Sequence, residues 1–308
     1  MPIPKTSSYL PSKVNRESQL YYTLFSPETA KATLLMVHGM QEHSGRYAEI
    51  AEYFAAHGIA VLTYDHLGHG KSVKEKKDIG FFQLEKPDER LVADAEMMAD
   101  HLAEQYPEVP HFILGHSMGS FITRCLLQKA SSKFAGAIIT GTGGPLPGID
   151  LLRAYLSLTN AIAPRHRTFL NSVFTNVNNK HFKKDKDFSD TSWLSINPKN
   201  RKAFEQDEWC GIPFTHNAFY TLFTIYKRAT ARKWASSISQ SFPLLFVSGQ
   251  NDPIGDFGKG VMHTVDNLKA DGFQNVEVKI YPEMRHEILN EEIREEVLNE
   301  IYNWMLKH

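Results

Sequence analysis

A chain of 308 residues, 42% hydrophobic and 22% charged, holds one large α/β domain or two smaller ones, with a core that needs no covalent staples. Thirty-four basic against 35 acidic residues leave a formal net charge of −1, which gives no electrostatic ground for nucleic acid or a strongly anionic membrane as a partner. Two cysteines, Cys125 and Cys210, in no metal-ligand spacing, exclude a disulfide framework; with no apolar leader and no bilayer-long apolar window, the expectation is a cytoplasmic protein.

In chain order, alternating stretches near Val14 and at residues 20–25 predict an early hairpin. Residues 33–37 (TLLMV) form a continuous apolar run, as in a strand covered on both faces, and end in His38-Gly39. Residues 46–57 carry apolar side chains at helical spacing and stop at Gly58. Residues 59–64 are the next strand. Residues 88–106 predict a helix closed by Pro107, 111–114 a strand, 117–130 a helix and 135–140 a strand. Far downstream, 243–247 and 276–281 read as strands, 259–270 as a helix and 287–306 as one long amphipathic helix.

This alternation predicts an α/β fold with a mostly parallel central sheet flanked by helices. It breaks between residues 141 and 239, where the pattern is Gly/Pro-punctuated, aromatic and helical, as at 151–158 and 214–228. The expected organisation is a core of residues 1–144 and 240–308 with a helical cap at 145–239. An insertion at the carboxyl ends of parallel strands sits where open α/β sheets bind ligands. Trp193, Trp209, Phe214, Phe219, Phe223 and Trp234 are expected to form mainly a small core of that cap, some of them lining an apolar tunnel.

The stretch ILGHSMGSFI, residues 113–122, sets Ser117 between two glycines where an apolar strand runs into a helix. A sharp strand-to-helix turn exposes a serine hydroxyl, and glycines permit the tight backbone packing. The alternative is a plain N-cap serine. A nucleophilic serine needs a base and a carboxylate to orient it, following in the order Ser, Asp/Glu, His on loops after later strands. Asp252 follows the strand at 243–247, and His286 follows that at 276–281. Asp256 competes with Asp252 but is expected in the first turn of the next helix; Glu283 lies too close to His286 in sequence to orient it. The oxyanion donors of such a site are backbone amides: Met118, after the nucleophile, and Met40, in the loop after an earlier strand.

At these residues the chain resembles the α/β-hydrolase superfamily and, within it, the monoacylglycerol lipase/lysophospholipase-like (serine aminopeptidase-type) family. The stretches HGMQEHSGRY (38–47), YDHLGHGKS (64–72), GHSMGS (115–120), GQNDP (249–253) and RHEILNE (285–291) carry the likeness. The resemblance implies an α/β-hydrolase fold with a helical cap, a triad of Ser117, Asp252 and His286, and an oxyanion hole at Met40 and Met118. Two positions depart from the family pattern, Gln41 and Ser120, where glycine is usual. Gln41 is expected to narrow or polarise the oxyanion region.

Other chemistries fit less well. Gly70-Lys71-Ser72 lacks the upstream glycine of a phosphate loop, since Asp65 stands there, and Gly141-Thr142-Gly143 lacks the third glycine of a dinucleotide fingerprint. His66 and His69 have no helical metal motif around them and read as packing residues. The basic stretches 165–167 (RHR) and 180–186 (KHFKKDK) read as solvated surface, with peripheral contact to a lipid surface as the sharper alternative. The functional expectation is a serine hydrolase cleaving a small-molecule or lipid acyl ester through an acyl-enzyme, with no cofactor and no metal. An amide or peptide hydrolase with the same triad is the enzymatic alternative, and a non-catalytic ligand-binding homologue the other.

Overall fold

The computed structural model describes residues 3–13 and 17–308. Its eight-stranded sheet has the order β1-β2-β4-β3-β5-β6-β7-β8. These strands are β1 (Lys5–Pro11), β2 (Gln19–Phe25), β3 (Ala32–Val37), β4 (Ile59–Tyr64), β5 (His111–His116), β6 (Gly136–Thr140), β7 (Leu244–Gly249) and β8 (Val276–Tyr281). From β4 across to β8 every pairing is parallel; β1 and β2 form an antiparallel hairpin laid along β4. The hairpin's first strand is Lys5–Pro11, earlier than expected, and Val14 lies outside the described residues.

The period of two in a strand divides the core between the two faces. Leu35, Val37, Ile113 and Ile139 point to one side, against α2 (Pro87–Gln105), α3 (Met118–Ala130) and α8 (Lys259–Ala270). Leu34, Met36, Leu114 and Ile138 point to the other, against α1 (Ala48–Ala56) and α9 (Arg294–Met305). Covered on both faces, β3 and β4 are buried at every residue, and each such aliphatic side chain contributes about 1.5–3 kcal/mol. The edge strand β8 alternates instead, exposing Glu277.

Between β6 and β7 run four helices, α4 (Ile149–Ile162), α5 (Leu170–Asn178), α6 (Pro198–Gln206) and α7 (His216–Ala229). Their aromatic residues do not form one small core of their own. Phe214, Phe219 and Trp234 join the main cluster with α2 and α3, whereas Trp193 packs with Phe182 and Leu194 in a separate group. The reason is α7, which lies directly on α3 and so extends the sheet's own helical layer.

Two other expectations are corrected. The last helix does not begin at Glu287: a short 3-10 turn (Ile288–Asn290) precedes α9. Glu291 is extended there because its buried carboxylate accepts from Ser195 Oγ (2.6 Å) and from the amides of Ile196 and Arg285 (both 3.1 Å). Asp256 is not in the first turn of α8 either. It stands at φ 49° in a left-handed stretch with Phe257 and Gly258, and the helix starts after Gly258.

Candidate active site

Ser117 joins β5 to α3 at φ 52°, ψ −121°, a region that a residue with a Cβ adopts only under constraint. The constraint is close packing on both sides. A Cβ on Gly115 would meet the Gly119 carbonyl at 2.4 Å, and one on Gly119 would meet the Val37 carbonyl at 2.0 Å. No larger residue fits at either place. Ser120 adds a fixing bond: its hydroxyl donates to the Ser117 carbonyl at 2.6 Å, and its amide to the same oxygen at 2.8 Å. The serine where the family pattern has glycine thus ties down the turn.

Asp252, fully buried just beyond β7, accepts from His286 Nδ1 through both carboxylate oxygens at 3.0 Å, and from the Ile254 amide at 2.9 Å. Burial pushes the His286 imidazole toward neutrality, but Asp252 outweighs it and holds the ring above the usual histidine range. The Ser117 hydroxyl has no hydrogen-bond partner among the described residues. The residue before it, His116, has its ring centroid 4.8 Å from that of His286. Trp193 covers His286 from the inserted segment at 4.9 Å.

The loop after β3 passes against this serine, since a Cβ on Gly39 would lie 3.0 Å from Ser117 Cβ. Among the described residues neither the Met40 amide nor the Met118 amide donates to a protein acceptor. Gln41 adopts φ 56°, the conformation glycine supplies in the family pattern. Its side chain does not narrow the site. It turns away to donate to Asn171 Oδ1 on α5 at 2.9 Å, and its carbonyl accepts from the Gly211 amide at 2.9 Å.

Three residues absent from the sequence-based candidates brace this edge. Glu42 accepts from the Gly39 amide at 2.6 Å and from Tyr47 at 2.8 Å. Arg46 bridges Glu42 (2.7 Å) to both oxygens of Glu287 (2.6 and 2.7 Å), the residue after His286. Burial alone would raise the Glu287 carboxyl, yet the Arg46 guanidinium holds it well below the ordinary range. Asn200 of α6 donates to Glu287 at 2.6 Å, so the inserted segment shares the brace. The Glu42–Arg46 spacing of four residues was the one local signal of this network. His66 and His69 pack with His38 beneath the same loop, the His66 amide donating to His38 Nε2 at 3.0 Å.

An apolar cavity of about 370 Å3 is lined by Leu152, Leu170, Phe174, Phe219 and Phe223, and by Pro253 and Ile254, the two residues that follow Asp252. It adjoins a more polar one of about 640 Å3 that includes Asp256, Lys259 and His263, with Leu146, Tyr226, Pro253 and Ile254 common to both.

Residues 28–293 match the family described as serine aminopeptidase, S33. Over 301 residues the chain is 27% identical to the monoglyceride lipase of Rattus norvegicus, covering 96% of this chain and 90% of that one. It is 24% identical over 298 residues to the monoacylglycerol lipase of Mycolicibacterium smegmatis, covering 94% of each. Among solved structures, a thermostable carboxyl esterase from Bacillus coagulans in complex with glycerol superposes with a TM-score of 0.90 at 26% identity over 99% of both chains. With most of its length matched and the parallel sheet of that fold, the chain belongs to the serine aminopeptidase S33 family of α/β-hydrolases.

Proposed function

We propose that the protein is a serine hydrolase that cleaves single-chain carboxylic esters, of the monoacylglycerol or lysophospholipid class, through an acyl-enzyme. Ser117 attacks the ester carbonyl while His286 takes its proton and returns one to the leaving alcohol; Asp252 fixes the tautomer and stabilises the imidazolium. The amides of Met40 and Met118 receive the oxyanion, with the N-terminus of α3 behind them. Water then repeats the attack on the acyl-enzyme. The observation that carries this reading is the strained Ser117 turn beside a buried His286–Asp252 pair.

Residues 145–239 act as a cap in this reading, and the acyl chain occupies the apolar cavity beneath it. Glu42 and Glu287 are both held by Arg46, so neither is free for the ammonium of an aminopeptidase substrate. The outer face of the cap supports contact with a lipid surface. Leu151, Tyr155, Leu158 and Ile162 repeat along α4 at i, i+4, i+7 and i+11, all exposed. The acids among the nearby lysines are engaged elsewhere: Asp185 binds Arg285 and Asp187 binds Arg201, leaving Lys180, Lys183, Lys184 and Lys186 outward. Two buried, unpaired cysteines accord with a cytoplasmic location.

A fluorophosphonate probe tests the chemistry: native protein is labelled and Ser117→Ala is not. Labelling that survives the substitution overturns the assignment. A series of p-nitrophenyl esters beside monoacylglycerol and lysophosphatidylcholine tests the substrate, with long chains expected to win; preference for short chains removes the lipid reading and leaves the hydrolase.

A further inference from the structure

Outside the candidate site, one cluster combines three metal-ligating side chains. His43, Asp207 and Cys210 offer nitrogen, oxygen and sulfur atoms that all lie within 4.8 Å of one another. His43 sits on the loop after β3, three residues beyond Met40, whereas Asp207 and Cys210 follow α6. The two segments are already joined by the Gly211 amide donating to the Gln41 carbonyl at 2.9 Å.

We propose that His43, Asp207 and Cys210 bind Zn2+, with water as fourth ligand, and that the bound ion lowers turnover by reshaping the loop that carries the Met40 amide. The clause on turnover rests on the hydrolase reading above; the binding clause does not.

The donor set is that of zinc, which takes imidazole, carboxylate and thiolate in a tetrahedron with bonds of about 2.0–2.3 Å. Such bonds place ligand atoms roughly 3.3–3.8 Å apart, so small rotations of the three side chains suffice. The surrounding charge favours a cation. The neighbouring guanidinium of Arg46 is already paired with Glu42 and Glu287, and Asp207 adds a further carboxylate. One of the three ligands, His43, lines a surface cavity of about 240 Å3 together with Ser44, Asp65 and Trp209.

Metal binding has a definite proton balance. Cys210 is a buried free thiol that ligates only as the thiolate, so the ion displaces its proton to solvent. His43 Nδ1 now accepts from the Gly45 amide at 3.2 Å, which leaves the proton on Nε2, facing Asp207 Oδ2 at 2.8 Å. Coordination through Nε2 moves that proton to Nδ1 and breaks the bond to Gly45. Loss of this bond at the start of the turn Ser44–Tyr47 is the route to the loop.

Co2+ is the spectroscopic probe. Added to reduced full-length protein, it should produce a thiolate-to-cobalt charge-transfer band in the near ultraviolet with tetrahedral visible bands, and Zn2+ should abolish both. Cys210→Ser and His43→Ala should each lose the thiolate-linked spectrum or weaken binding by at least about tenfold, while Cys125→Ser retains it. In ester hydrolysis Zn2+ should lower kcat more than it changes KM, and Cys210→Ser should need at least about tenfold more Zn2+ for the same loss, each protein being compared with its own metal-free rate. A spectrum that never forms, or that persists in Cys210→Ser, overturns the site. A spectrum that forms while kcat is unmoved overturns the inhibitory role. Failure of fluorophosphonate labelling beside a normal cobalt spectrum overturns the hydrolase reading alone and leaves the metal site standing.

Discussion

Within the inserted segment, α7 and the pair α4–α5 treat their apolar residues in opposite ways. Phe219, Leu222 and Ile225 of α7 are buried against α2 and α3, and Phe214 just before it is 1% exposed. On α4, by contrast, Leu151 is 80% and Ile162 74% exposed. The segment is therefore two structures in one. Its last helix packs on the α/β core; α4 packs on that helix through the buried Leu156, and among the described residues nothing lies on its outer apolar face. Insertion in the sequence is no guide to detachment in space: what decides is which helix lies on α3.

The largest expected effect follows from that difference. Phe214 packs on Phe82 and His69, each with ring centroids 5.5 Å away, so Phe214→Ala should cost about 3–5 kcal/mol in denaturant unfolding. Leu158→Ser and Ile162→Ser should stay within about 0.5 kcal/mol of the parent, because those side chains leave almost nothing behind. The same two substitutions should lower retention on vesicles of anionic phospholipid by about tenfold or more, if each residue enters the lipid boundary. Comparable unfolding costs for the two helices would dissolve the distinction; unchanged vesicle retention would remove the lipid contact and leave the distinction intact.

How much of this was legible in the sequence follows the same division. Strands β3 to β7 are short apolar runs whose neighbours in sequence supply their covering helices, and β8 alternates as an edge strand does, so local pattern predicts all six within a residue or two. The meeting of Asp252 with His286 follows from their places after adjacent strands. The brace of Glu42, Arg46 and Glu287 is different in kind, since Arg46 and Glu287 stand 241 positions apart and nothing local marks their pairing. The same long-range demand on Glu287 and Glu291 is what delays the final helix. In the inserted segment an aromatic residue reads alike whether it faces the core, a cavity or solvent, and only the placement of α7 sorts Phe214 from Trp193. Gln41 shows the converse: a glycine position in the family is a statement about φ, and glutamine meets it at 56° by taking a partner.

Acid should act next, and on the α7 side. Burial, with mutual repulsion, presses His38 well below its ordinary value, and burial takes His66 to about 3 and His69 to about 4. A histidine whose folded value lies below the unfolded 6.5 adds stability that is complete above pH 6.5 and lost as pH falls from there toward 4. His286 has the opposite sign, since its raised value adds stability at low pH that is lost as pH rises through it. The cluster outnumbers it. Between pH 7.5 and pH 5.5, His66 and His69 together should remove on the order of 2–3 kcal/mol, readable as a fall in the denaturant midpoint. A flat profile over that interval would mean that the cluster is hydrated or already charged, and that the layer beneath Phe214 is looser than its burial indicates.

The smallest effect tests the joint between the two halves. Asn171 of α5 accepts from Gln41 at 2.9 Å and from the Phe214 amide at 2.8 Å, so one side chain ties the cover, the approach to α7 and the loop after β3 together. Gln41→Gly relieves a left-handed residue, worth about 1 kcal/mol, and removes one hydrogen bond of similar size. Global stability should therefore move by less than about 1 kcal/mol. The local consequence should be larger than the global one, because Asn171 keeps its bonds to Thr168 and Phe214 while the loop loses its hold on α5. Hydrogen exchange should quicken in residues 38–43 and in α5 and stay unchanged in α7. Equal quickening in all three would show that the cover and the core helix open as one unit, and that the exposed face of α4 belongs to a rigid body after all.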